Sequence, residues 1–201
     1  MARTAATPEQ RAQVREQIRL AAAAVYEEKG MEGTSARAVA VKAGVSVGTL
    51  YSYYANLAEL MRSLWAEPVA EEMARLRATV ELIADPLQAL QTLLEGYANF
   101  AFGHPDILRG AFLFVGQATQ ETALPPAPAA FEFEHLLRDT ILAGQKTGQI
   151  KPGPADQMAH MLWAGVHGAL ALPINIESLD FGSPKQLVAD MTSTLMESIK
   201  L

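Results

Sequence analysis

Three groups of residues in this sequence carry side chains able to do chemistry. The first is Gly44-Val45-Ser46-Val47-Gly48, which has the G-x-S-x-G spacing of a nucleophilic serine turn. That turn needs a strand before the serine, with an acid and a histidine later in the chain. Here Val39, Ala40 and Ala43 recur at helical spacing just before it, so Ser46 is expected to cap a helix and no enzyme activity is expected. The second group is the four histidines, His104, His135, His160 and His167. Asp156 and His160 stand four apart and His167 seven further on, so one helix face offers three metal-ligand types. This spacing is common by chance, and core or interface histidines, with no metal and no cofactor, are the expectation. The third group is a run of hydroxyls and one guanidinium between residues 34 and 54: Thr34, Ser35, Arg37, Ser46, Thr49, Tyr51, Ser52 and Tyr54. These are donors suited to phosphate oxygens and base edges.

The elements that must position this third group are two short helices around a tight turn. Thr34 or Ser35 can cap the first helix, since a hydroxyl accepts a free N–H of the first turn. Gly44 stands where a helix ends in a left-handed residue. Val45 plugs the angle, and Ser46 caps the second helix, from which Val47, Gly48, Thr49, Tyr51 and Ser52 project. Such a pair is a helix-turn-helix, whose second helix fits a DNA major groove.

The run from Val39 through Ala43-Gly44-Val45-Ser46-Val47-Gly48-Thr49-Leu50-Tyr51 to Tyr53-Tyr54-Ala55-Asn56-Leu57-Ala58-Glu59-Leu60 resembles the DNA-binding domain of TetR/AcrR-family transcriptional repressors. The resemblance covers about the first 60 residues and implies a homodimer on a palindromic operator. It departs at Ala55 and Leu57, where the family often has basic residues that touch phosphate. Val47, Thr49 and Ser52 are then candidates for base edges. Thr34, Ser35, Arg37, Tyr51 and Tyr54 are candidates for phosphates, and Arg3, on a mobile arm, for a minor groove.

Of the 201 residues, 50% are hydrophobic, enough to bury a sizeable core. No cysteine is present, which excludes disulfides and thiolate chemistry. The opening MARTAATPEQ has no apolar signal core, and a soluble, cytoplasmic protein with no membrane partner is expected. Net charge is −6, unpromising for a polyanion partner, yet it is unevenly spread. Residues 1–60 hold seven basic and six acidic side chains; the remainder holds nine basic and sixteen acidic. A DNA-facing end joined to an acidic body fits that asymmetry.

Helical periodicity runs through the whole chain, and about nine helices are expected in an all-α fold. Thr7-Pro8-Glu9-Gln10 is a helix start with a capping box, and that helix should stop at Lys29-Gly30. A long helix over 58–84 contains Pro68, which should kink it or split it in two. Further helices are expected over 86–102, 105–117, 129–147, 155–172 (stopping at Pro173) and 184–200. The domains expected are a helix-turn-helix unit over 1–57 and a ligand-binding and dimerisation unit over 58–201.

In the second domain, Trp163, His167 and Gly168 resemble the signature of a TetR-family subgroup named for Trp, His and Gly. In that family the last two helices build a four-helix bundle with a second subunit. The dimer interface is therefore placed at Trp163, His167, Gly168, Met191 and Leu195. The resemblance also implies an effector cavity in this half, for a small hydrophobic molecule. Trp65, Tyr97, Phe100, His104, Phe112, Gln117, Phe131, His135 and Trp163 are its candidate lining. The function expected is a ligand-responsive repressor. The same fold is also compatible with an activator or a ligand-free DNA binder. Ala55, Leu57 and the acid excess leave room for an all-α interaction module that no longer binds DNA.

Overall fold

Eight helices account for the regular structure among the residues that the structure, a computed structural model, describes: 7–105, 107–108, 128–176 and 178–201. They are α1 Pro8–Gly33, α2 Ala36–Ala43, α3 Val47–Tyr53, α4 Leu57–Val80, α5 Pro86–Gly103, α6 Pro128–Lys146, α7 Ala155–Asn175 and α8 Pro184–Ile199. The only β feature among these residues is one isolated antiparallel bridge, Ile150 to Lys200. The fold is all-α.

Local chemistry sets most boundaries. Thr7 and Gln10 form the capping box of α1: Gln10 N–H donates to Thr7 Oγ1 and Thr7 N–H to Gln10 Oε1. Gly30, at φ 65°, breaks the helical path, and one more turn follows it before Thr34. Gly44 ends α2 at φ 67°, donating to the carbonyls of Ala40 and Val41. Two expectations change. Helix α4 runs through Pro68 as one helix, so the two-helix alternative fails. Helix α7 passes Pro173 and ends at Asn175, because the missing proline N–H falls in the last turn. There Asn175 Nδ2 donates to Ala171 O and Ile176 N–H to Leu172 O, which keeps that turn closed. Of the expected helix over 105–117, Pro105, Ile107 and Leu108 are described and helical; its other residues, and the arm bearing Arg3, lie outside the described residues.

The chain divides within α4 into two compact units, one up to Glu67 and one from Pro68 onward. The expected boundary, at 57–58, stands ten residues earlier. The first unit packs Ile18, Ala22 and Val25 of α1 against Val39 and Ala40 of α2, Leu50 of α3, Tyr54 and Leu60. The second unit has the larger core, including Leu76, Leu90, Leu93, Leu94, Phe133, Leu137, Ile141, Leu162, Val166 and Leu170.

Candidate nucleic-acid interface and ligand-binding half

Helix α3 is short because Ser46 starts it and Tyr54, in extended backbone, stops it. Ser46 Oγ accepts the N–H of Thr49 at 2.9 Å and shares a hydrogen bond with Thr49 Oγ1 at 2.8 Å. That is a helix cap, and α2, not a strand, precedes it, so the G-x-S-x-G spacing is a turn and not a nucleophile site. Leu50 is wholly buried and fixes the rotation of α3. The opposite face is left open: Val47, Gly48, Tyr51 and Ser52 are exposed, and Thr49 is half-buried. Ser52 Oγ donates to Thr49 O, which ties its hydroxyl to the helix but leaves its acceptor lone pairs free.

Long-range polar bonds hold this helix in place. Arg15 on α1 donates to Tyr53 O at 2.9 Å, pairs with Glu59 at 3.2 Å and lies 4.4 Å over the Tyr54 ring. Gln17 donates to Ala43 O at 2.7 Å, at the end of α2. Asn56 Oδ1 accepts Glu59 N–H, and Glu59 reaches back to Ala55 N–H, together starting α4. Lys42 pairs with Glu28. Apart from the local bonds of Glu59 with Ala55 and Asn56, the partners stand 14 to 44 residues apart in sequence, beyond any local pattern.

The phosphate candidates separate accordingly. Arg37 is exposed and makes no ion pair among the described residues, Tyr51 is 46% exposed, and Ser35 caps α2 through Ala38 N–H. Thr34 is buried, and its hydroxyl donates to Gly30 O at 2.7 Å. Tyr54 is also buried, its hydroxyl donating to Arg15 O at 3.1 Å. In this arrangement Thr34 and Tyr54 hold the domain together and present no free donor to a phosphate.

In the second unit, the effector candidates are partly brought together. Tyr97 of α5 stacks on Phe133 of α6 with ring centres 5.0 Å apart, and Trp163 of α7 meets both edge-on. Phe133, absent from the expected lining, sits at the middle of this cluster. The Tyr97 hydroxyl and His167 Nδ1 are 2.5 Å apart. Burial pushes the Tyr97 phenol above its ordinary range and His167 below its own, so both are held neutral. The Trp163 indole N–H is buried with no partner in hydrogen-bond geometry among the described residues. Near the phenol, it offsets part of the rise at Tyr97.

Other candidates are elsewhere. Phe100 lies 4.6 Å from His104 ring to ring, Phe131 is 49% exposed, and His135 is exposed beside Glu134. Trp65 is buried and belongs to the first unit. Phe112 and Gln117 lie outside the described residues. The metal reading finds no cluster of three ligand side chains among the described residues.

On α7 and α8 the interface candidates have distinct neighbours. A Cβ on Gly165 would come within 2.6 Å of a Leu195 methyl, so this glycine serves close packing within the chain. At Gly168 a Cβ would meet nothing within 4 Å. Met161, Ala164 and Leu172 are exposed on α7, and with Gly168 they recur every three or four residues as one stripe.

These features describe a helix-turn-helix in the first unit and a larger helical second unit. Residues 18–64 match the sequence model of the bacterial regulatory proteins of the tetR family. The HTH-type transcriptional repressor KstR2 of Mycobacterium tuberculosis is 36% identical over 72 residues, a match covering 36% of each chain. Among solved structures, Thermus thermophilus FadR in complex with lauroyl-CoA is similar with a TM-score of 0.71 at 19% identity, covering 91% of this chain and 93% of that one. Bacillus subtilis FadR in complex with stearoyl-CoA gives 0.65 at 21% identity, over 90% and 95%. At such identities the likeness is one of fold. The likeness to the tetR family of bacterial regulatory proteins thus rests on residues 18–64, and the curated relative is matched over about a third of its length.

Proposed function

We propose that the protein is a ligand-responsive transcriptional repressor that binds a palindromic operator as a homodimer and leaves it when a small lipophilic effector binds the second unit. The observation that carries this reading is the open face of α3, where Val47, Gly48, Tyr51 and Ser52 are exposed while Leu50 anchors the helix. Short hydroxyl and apolar side chains suit thymine methyls and polar base edges. Tyr51, Ser35 and Arg37 serve the backbone. The exposed stripe Met161, Ala164, Gly168 and Leu172 supports self-association through α7, joined by Met191 and Leu195 of α8. The aromatic cluster around Tyr97 and Trp163, with its unpaired indole donor, supports an effector carrying an acceptor such as a carbonyl. The acyl-CoA complexes of the two FadR structures make acyl-CoA the first class to test.

A gel-shift titration with DNA flanking the protein's own gene tests the reading. Binding should weaken about tenfold (~1.4 kcal/mol) in Tyr51→Ala and be reversed by acyl-CoA. Because Ala55 and Leu57 supply no charge, the salt dependence should correspond to fewer than about six phosphates per dimer. Failure to shift any fragment, with Tyr51→Ala indistinguishable from wild type, would favour the interaction-module alternative.

A further inference from the structure

Helix α3, Val47-Gly48-Thr49-Leu50-Tyr51-Ser52-Tyr53, contains no Arg, Lys, Asn or Gln. The hydroxyls on its open face are largely committed to the helix itself. Ser52 Oγ spends its proton on Thr49 O at 2.6 Å. The Ser46 and Thr49 hydroxyls share one hydrogen bond, which leaves one proton between the two. Lys42, at the end of α2, pairs with Glu28. In a major groove, guanine shows two acceptors, N7 and O6, and adenine an acceptor beside a donor. Both edges are read by side chains with paired polar groups, which this helix lacks. Thymine differs, because its edge also carries a C5 methyl that apolar atoms can read.

Two positions on the open face suit a methyl. Val47 is apolar and 38% exposed. Gly48 stands inside the helix, where glycine is less stable than alanine. A Cβ there would meet only Ser46 Oγ, at an ordinary 3.8 Å, so no packing among the described residues calls for glycine. Its bare Cα instead leaves the surface beside Val47 low enough for close approach. We infer that α3 reads its operator through methyl groups: thymine C5 methyls pack on Val47 and the Cα of Gly48, and guanine is not read. The base pairs facing α3 are then rich in thymine. 5-Methylcytosine, with the same methyl at the same ring position, can stand in for thymine there. This inference rests on the DNA-binding reading given above and names what that reading left open.

The test takes a fragment of DNA flanking the protein's own gene that the full chain shifts, footprints it and rebuilds it with base analogues. Uracil for thymine removes only the methyl and should weaken binding about fourfold at each position read, the effect of burying one methyl-sized group. Cytosine at such a position should also weaken binding, and 5-methylcytosine should recover most of that loss. 7-Deazaguanine for guanine, which removes N7, should leave the affinity unchanged. In Val47→Ala, uracil and thymine should bind alike. Gly48→Ala should melt no lower than wild type yet bind more weakly. Indifference to uracil at every position, no recovery with 5-methylcytosine or a loss with 7-deazaguanine would overturn the inference and leave operator binding standing. So would full discrimination in Val47→Ala, or wild-type affinity in Gly48→Ala. A wild-type chain that shifts no flanking fragment would overturn the DNA-binding reading itself, and this inference with it.

Discussion

The two units of this chain reach order by different means. Up to Glu67, a small core of alanine, valine, isoleucine and leucine is supplemented by polar bonds that cross between helices: Arg15 to Tyr53 and Glu59, Gln17 to Ala43, Tyr54 to Arg15. From Pro68 onward, the apolar core is much larger, and bonds such as Arg77 to Glu132 and Tyr97 to His167 add to it. A small unit buries too little apolar area to fix three short helices by itself. Directional bonds then determine where α3 points. The lesson is that the unit holding the helix-turn-helix is also the one whose geometry rests on polar groups.

Four perturbations break or sharpen this contrast. The largest effect is expected from Leu50→Ala, which empties a fully buried position and should cost about 2–5 kcal/mol. Calorimetry should show a first-unit transition at lower temperature with the second unit's transition unmoved; a single merged shift would break the contrast. Gly165→Val forces a side chain into Leu195 and should cost about 1–3 kcal/mol. Urea unfolding should place that loss in the second unit, with operator affinity per folded dimer retained. Tyr54→Phe deletes one brace, from Tyr54 Oη to Arg15 O, and should cost about 0.5–1.5 kcal/mol. Operator affinity should fall more than stability does, since the brace aims α3.

The smallest effect concerns pH. Burial depresses His167 in the folded state, so the unfolded chain takes up that proton first as pH falls. Stability is therefore full above the unfolded histidine value of about 6.5 and declines as pH drops below it. The melting temperature should fall between pH 7 and pH 5, and His167→Asn should flatten that dependence. An unchanged slope in the variant would show that the burial of His167 does not set it.

The parts of the molecule legible in sequence are those governed by neighbours along the chain. Thr7 with Gln10, Ser35, Ser46 and Gly44 announce their turns and caps because cap chemistry acts within three or four residues. The apolar stripe of α1, with Ile18, Ala22 and Val25, appears for the same reason. The hydroxyls of Tyr54 and Thr34 bond within the domain, and a hydroxyl in a motif position says nothing about which carbonyl it meets. Arg15 was overlooked because its partners lie 38 and 44 residues away. In the second unit, aromatic content points to a cluster, yet among the described residues only Tyr97 and Trp163 of the expected lining are joined there, around Phe133. Periodicity gives the buried face of each helix; it does not say which buried faces meet.

Gly44 carries one more consequence. Its φ of 67° demands a left-handed residue, while the space where a Cβ would stand is empty to 4 Å. The restriction at this position is therefore conformational and not volumetric. In a saturation scan, tolerance at position 44 should rank by readiness to enter the left-handed region, with asparagine and aspartate ahead of alanine and valine or isoleucine last. Side-chain size would be a poor guide. A turn of this kind drifts among a few small polar residues over long divergence, and homologous regulators should record that narrow path.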